Sequence, residues 1–264
     1  MNIAAHYDLG NDFYAHFLDD ELLYSSALFT DDGRSTQAQR AKWRLCERLV
    51  LTPGDHLLEI GTGWGDGRIR RLPLRLPVTT TTLSQEQFQW TNARIARAGL
   101  QDRVEVLLCD YRDLTGQYDK LSVEMITPWA TLSAGFLSHL PRDRCPGGRT
   151  AIRNYHPGSA LSRLQQKRGF YSALHLPGGF LPSITAMNEL MTRHTDFVVR
   201  DLFDMPDYAR TLAHWRQRFI HAWQILRNRL DDRFRRMWLT TSAIEAGFNA
   251  RTISVVQLTA ERTS

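Results

Sequence analysis

Lysine is nearly missing from this 264-residue chain: Lys42, Lys120 and Lys167 stand alone among 33 Lys and Arg residues, so the net charge of +5 is carried by arginine. The planar guanidinium favours two-pronged contact with phosphate or carboxylate. Such a balance suits an acidic partner, whether nucleic acid or an anionic membrane surface, and equally a solvated basic face. Cysteine is scarce as well. Cys46, Cys109 and Cys145 have neither CxxC spacing nor an even count, which argues against a disulfide framework and for a reducing compartment. No apolar run reaches the roughly 20 residues that span a bilayer, and Met1 to Asp8 lack the basic and apolar regions of a secretory signal. The expected location is the cytoplasm, with membrane contact only at the inner face. The nine histidines show neither HxxxH nor HExxH spacing, so no metal site is expected.

With 42% hydrophobic and 23% charged residues, the composition is that of an ordinary globular chain with one substantial core. Between residues 35 and 50, Ala38, Ala41, Leu45 and Leu49 recur at helical spacing, and Pro53-Gly54 then turn the chain into the apolar run Leu57-Leu58-Glu59-Ile60. The β-branched run Val78 to Thr82 predicts a second strand, and Ser84-Gln85-Glu86-Gln87 predicts a capping box opening a helix that ends near Gly99. Further strands are expected at Val104 to Leu108 and Leu121 to Met125. Strands alternating with helices in this way predict a parallel, doubly wound α/β sheet. Beyond residue 195, the spacing of Tyr208, Leu212, Trp215, Phe219, Trp223, Leu226 and Leu230 predicts one long helix with an arginine-rich outer face. Its apolar stripe reads first as core packing. Thr252 to Thr259 reads as a closing strand.

The chemistry begins at Glu59-Ile60-Gly61-Thr62-Gly63-Trp64-Gly65, a glycine loop after a buried strand, which lets backbone approach a ligand closely. Gly65 follows Gly63 by two residues rather than three, so the GxGxxG dinucleotide fingerprint is absent, and the spacing points to S-adenosylmethionine instead. Other strings extend the pattern: His6 to Tyr14 (HYDLGNDFY), Leu23 to Phe29 (LYSSALF), Thr82-Leu83-Ser84 with Glu86-Gln87, and Asp102 to Val106 leading to Asp110-Tyr111-Arg112-Asp113. Pro177 to Ser183 and Asp207 to Leu212 continue it. Taken in order, these strings resemble the cyclopropane-fatty-acyl-phospholipid synthases and mycolic acid cyclopropane synthases. The resemblance implies a Rossmann-like methyltransferase fold with a mostly parallel sheet, helices on both faces and extra lipid-facing helices. It implies one domain over 1–264, with a helical cap at 1–50, a cofactor-binding half at 51–150, and substrate-side helices and closing strands at 151–264. It also implies methyl transfer from S-adenosylmethionine to the cis double bond of an unsaturated phospholipid acyl chain at a membrane surface, with a bound bicarbonate closing the ring. The cofactor positions it implies are Tyr24, Ser25, Gly61, Thr62, Gly63, Gly65, Thr82, Gln87, Asp110 and Tyr111. Tyr111 suits stacking on adenine, and the ring face of Tyr24 suits the sulfonium.

The base site departs from that family. Of the usual cysteine, glutamate, histidine and tyrosine, only the tyrosine is matched, as Tyr208; Ser26, Thr127 and approximately Arg153 stand at the other positions. Ser26 still donates a hydrogen bond, Arg153 can hold an anion by charge, and Thr127 cannot act as a carboxylate does. A methyl-branched or unsaturated product is then as open as a cyclopropane. Residues 66–77 and 127–176 keep the family's spacing but lose its pattern, as compensated frameshifts in an arginine-rich coding sequence would produce, and Pro73 and Pro77 oppose a helix after the loop. Two other readings compete: a remnant that binds lipid or cofactor without turnover, and a nucleic-acid base methyltransferase. The latter lacks an NPPY-like or DPPY-like tetrapeptide after the fourth strand, so no nucleic-acid partner is expected.

Overall fold

A computed structural model describes residues 10–29, 38–65, 76–124, 148–157, 182–205 and 207–262. In chain order these form α1 (Asn11–Ala15), α2 (Ala38–Leu49), β1 (Leu57–Ile60), β2 (Val78–Thr82), α3 (Gln85–Arg97), β3 (Val104–Leu108), β4 (Lys120–Glu124), β5 (Arg149–Pro157), α4 (Ile184–His194), β6 (Phe197–Met205), α5 (Tyr208–Leu226), α6 (Asp232–Leu239), α7 (Thr241–Asn249) and β7 (Ile253–Arg262). The seven strands make one sheet in the order β3-β2-β1-β4-β5-β7-β6. The first five strands pair in parallel, while β7 lies antiparallel between β5 and β6. Chain order reverses beside β1, between β2 and β4, the place where open α/β sheets form a ligand crevice at their carboxyl ends.

Burial on both faces explains the apolar runs. Every residue of β1 and β2 is buried, as parallel strands covered by helices require. The threonines of β2 keep their hydroxyls bonded: Thr80 Oγ1 donates to Glu59 at 2.9 Å and Thr82 Oγ1 to Gln87 at 2.7 Å. On one face Leu45 and Leu49 of α2 pack with Leu57, Val78, Ile95 and Val104; on the other, Met187 and Met191 of α4 pack with Leu58, Leu121, Val123 and Leu258. A third cluster lies off the sheet, where Phe13, Tyr14, Phe17 and Trp64 meet Phe219, Leu226 and Trp238. Each fully buried Phe or Leu there contributes about 2 kcal/mol.

Several elements differ from the sequence reading. The fourth strand begins one residue earlier than expected, at Lys120, and is described to Glu124. Ser84 caps α3 by accepting from the Gln87 N–H at 3.3 Å, but the reciprocal bond of a capping box is replaced: the Ser84 N–H donates to Thr82 Oγ1 at 3.1 Å, and the Gln87 side chain faces Thr82. The chain beyond residue 195 is first a strand, β6, whose exposure alternates with period two. The helix starts only at Tyr208 and stops at Leu226, because residues after a short turn are recaptured by Asp231, whose Oδ1 caps α6 at the Phe234 N–H, 2.7 Å away. Strand β5 lies inside the segment whose pattern is lost, and it pairs without register breaks to β4 and β7. The rest of that segment outside 148–157, the stretch 66–75 with Pro73, Thr127, Cys145, residues 6–9 and residues 177–181 lie outside the described residues.

Candidate functional site

The glycine loop leaves β1 at its carboxyl end. Gly61, Gly63 and Gly65 all have positive φ, at 95°, 57° and 64°, a backbone region that costs a side chain steric strain. Their surroundings differ. A Cβ on Gly61 would stand 3.2 Å from the Glu124 carbonyl oxygen, and one on Gly65 would stand 2.7 Å from Thr91 Cγ2, whereas a Cβ on Gly63 would meet nothing within 4 Å among the described residues. Gly61 and Gly65 therefore serve close packing, and Gly63 leaves an open face. Beneath the loop, Thr62 Oγ1 lies 2.7 Å from Thr80 Oγ1, which in turn donates to the buried Glu59 carboxylate. The Gly61 and Thr62 N–H groups both donate to the Thr81 carbonyl, at 3.2 and 3.0 Å. The loop is thus fastened to β2 from below.

Neighbouring strand ends supply the other polar groups. Thr82, the last residue of β2, and Gln87 are buried and bonded to each other. After β3, Asp110 opens a short helical turn at Tyr111–Asp113, accepting from the Arg112 N–H at 3.0 Å and from its Nε at 2.8 Å. That guanidinium holds the Asp110 carboxyl below its usual range, while burial pushes the neighbouring Cys109 thiol up. Tyr111 packs, partly buried, against the core cluster that contains Ile60.

The segment before α2 closes the crevice from the side. Tyr24 stacks on Trp215 of α5, centroids 5.0 Å apart, and meets Tyr14 edge-on at 5.6 Å. One face of Tyr24 is therefore already taken by an aromatic neighbour. Ser25 is fully buried; its Oγ donates to the Glu124 carboxylate and accepts from Arg153 Nη1, and the same Nη1 lies 2.8 Å from Glu124 Oε1. Ser26 Oγ donates to the Ala27 carbonyl at 3.3 Å, and the Ala27 N–H donates to Thr211 Oγ1 at 3.1 Å, on α5 beyond Tyr208. Tyr208 is buried edge-on to Phe248 at 4.9 Å. The segment and α5 also line a small cleft with Asp19, Leu23, His214 and Arg218; burial, then Arg218 and Arg210, push the His214 imidazole pKa down.

Predicted positions thus meet in three groups: the glycine loop with Ser25 across Glu124, the pair Thr82 and Gln87, and the Ser26 segment laid along α5 near Tyr208. Sequence reasoning passed over Glu124, the last residue of an apolar strand, and the clamp on the loop: Trp64 Nε1 donates to Asn11 at 2.6 Å, Asn11 donates to Glu86 at 3.0 Å, and Arg94 donates to the Trp64 carbonyl at 3.2 Å. Among the described residues, no cluster of His, Cys, Asp and Glu is arranged to hold a metal ion, and no helix is long and apolar enough to cross a membrane.

The family model for mycolic acid cyclopropane synthetase matches residues 1–258. The tuberculostearic acid methyltransferase UfaA1 of Mycobacterium tuberculosis is 39% identical over 277 positions, covering 98% of this chain and 64% of that protein. The cyclopropane-fatty-acyl-phospholipid synthase of Escherichia coli is 32% identical over 270 positions, covering 97% of this chain and 66% of that protein. The chain spans less than two thirds of the length of either relative. Among solved structures, mycolic acid cyclopropane synthase CmaA1 complexed with SAH and CTAB superposes with a TM-score of 0.85 at 25% identity, covering 98% of this chain and 97% of that one.

Proposed function

Because the chain belongs to the mycolic acid cyclopropane synthetase family, we propose that it is an S-adenosylmethionine-dependent methyltransferase acting on the cis double bond of an unsaturated phospholipid acyl chain. The product is a cyclopropane or methyl-branched fatty acid, made at the inner face of a membrane. The observation that carries this reading is the loop at the carboxyl end of β1, where no described atom would meet a Cβ on Gly63, with Thr82 and Gln87 bonded to each other at the end of β2 and Ser25 bonded to Glu124 at the end of β4. The donor set suits a zwitterionic nucleoside: hydroxyls and an amide for the ribose and amino-acid portion, and Tyr111 for the adenine face. Tyr24, Ser25, Gly61 to Gly65, Thr82, Gln87, Asp110 and Tyr111 would hold it, and it would supply a methyl group activated by a sulfonium. The complex of CmaA1 with SAH and CTAB supports both halves of the reading, since SAH is the demethylated cofactor and CTAB a long-chain surfactant.

The protein's own contribution is enclosure. An alkene is a weak nucleophile, and the alkyl cation left after methylation is destroyed by water. Tyr14 and Phe17, fully buried, back Tyr24 and Trp215, and this aromatic packing would help to exclude water.

Bicarbonate does not fit these residues. The only buried guanidinium at the base positions, Arg153, already faces the Glu124 carboxylate at 2.8 Å, so a second anion there would meet like charge in a poorly solvated place. Ser26 spends its hydroxyl on Ala27. The test of the reading is transfer of labelled methyl from S-adenosylmethionine into vesicles of monounsaturated phosphatidylglycerol; label confined to the water phase would refute it.

A further inference from the structure

We propose that the Glu124 carboxylate accepts the proton lost when the transferred methyl group closes into a ring, in place of a bound anion. The inference rests on the methyltransferase reading and concerns the same crevice. Glu124 ends β4, with its carbonyl oxygen against the turn at Gly61. Its carboxylate Oε1 receives two donors: Ser25 Oγ, from a cofactor position, and Arg153 Nη1, from a base-site position. Glu124 thus links a residue expected to hold the cofactor to one at an expected base position. Only 9% of its side chain is exposed, and that of Arg153 is fully buried.

The step balances within the substrate. After methylation an alkyl cation stands next to the carbon that bears the new methyl. A C–H bond of that methyl breaks, its electron pair forms the second C–C bond of the ring, and the proton passes to a carboxylate oxygen. No oxidant or reductant is needed. Deprotonation of an alkyl cation is strongly downhill, so a weak base suffices, and ring closure rather than alkene formation requires that base to be held against the new methyl group with water excluded. Arg153 offsets the cost of burying the carboxylate, and by favouring its charged form it returns the proton to solvent between turnovers.

The experiment uses the full chain with labelled S-adenosylmethionine and monounsaturated phosphatidylglycerol vesicles, and reads ring and uncyclised products separately by mass spectrometry. The variant Glu124→Gln should keep its cofactor-dependent rise in melting temperature, lose cyclopropane about a hundredfold, and divert product to methyl-branched alkenes or methylene-bearing chains, formed by proton loss elsewhere on the cation. Glu124→Asp should restore part of the ring. Unchanged ring yield in Glu124→Gln overturns the proposal, and so does a parallel fall of ring and uncyclised products, which indicates positioning only. Should Glu124→Gln fail to fold, the double variant Glu124→Gln/Arg153→Gln removes both buried charges and is read by the same product ratio. A wild-type chain that labels no lipid overturns the methyltransferase reading and this inference with it, whereas a wild type that methylates without ever forming a ring overturns this inference alone.

Discussion

Tyr24 lies on Trp215 with ring planes 11° apart and centroids separated by 5.0 Å, so the segment that closes the crevice is held to α5 by an aromatic stack. Trp215 also meets Phe17 and Tyr208 edge-on. The variant Trp215→Ala removes a large part of this wall and should cost about 3 kcal/mol, in the range for aromatic truncation in a core. Urea unfolding measures the loss. Turnover on lipid should fall further than stability accounts for at temperatures where the variant is folded.

The glycines separate packing from binding. Gly65→Ala drives a methyl group onto Thr91 Cγ2 and keeps a left-handed φ, so its melting temperature should drop sharply. Gly63→Ala meets no atom and should lose only about 1 kcal/mol for the backbone conformation, yet it should weaken S-adenosylmethionine binding because the methyl group projects into the open face. Calorimetric titration beside thermal melts distinguishes the two. Equal affinity in Gly63→Ala and wild type would place the cofactor elsewhere.

Arg153 and Glu124 should behave as a coupled pair. Arg153→Met strands a buried carboxylate and is expected to cost about 3–5 kcal/mol. Adding Glu124→Leu should recover much of that loss, since the pair is then replaced by apolar groups. A double-mutant cycle by chemical denaturation measures the coupling; additive losses would mean that the two side chains do not depend on one another.

Acid sensitivity should include a contribution from Asp110. Its carboxyl titrates below its ordinary value of 3.8 in the folded chain because Arg112 bonds to it. The unfolded chain therefore binds the proton first as pH falls, and the stabilisation is present above 3.8 and lost as pH drops through the folded value. Arg112→Gln should be less stable than wild type near pH 7 and converge with it in strong acid. Urea midpoints taken across that range test this. Arg112 is more than half exposed, so the gap should shrink in high salt.

The parallel half of the sheet was legible because strands buried on both faces must be apolar or β-branched, as Leu57–Ile60 and Val78–Thr82 are. The loop was legible because three residues with positive φ select glycine. Strand β5 was not: it lies where the chain loses the family's pattern, and a buried arginine such as Arg153 is tolerable there because of partners distant in sequence, Glu124, 29 positions earlier, and Ser25. Strand β6 was hidden for another reason. Its alternation of Val198, Arg200, Leu202 and Asp204 on the exposed side is a two-residue period, overshadowed by the longer helical period that begins at Tyr208. Glu124 escaped notice because a carboxylate closing an apolar strand looks like the point where the chain meets water. The bonds from Ser25 and Arg153 come from distant parts of the sequence.

The placement of β7 between β5 and β6 has a consequence during synthesis. Until the ribosome has released residues 253–262, strands β5 and β6 have no partner on their facing edges, since each pairs there only with β7. Until then the nascent chain carries open strand edges, and these are templates for pairing with other chains. Closure of this side of the sheet therefore waits for β7.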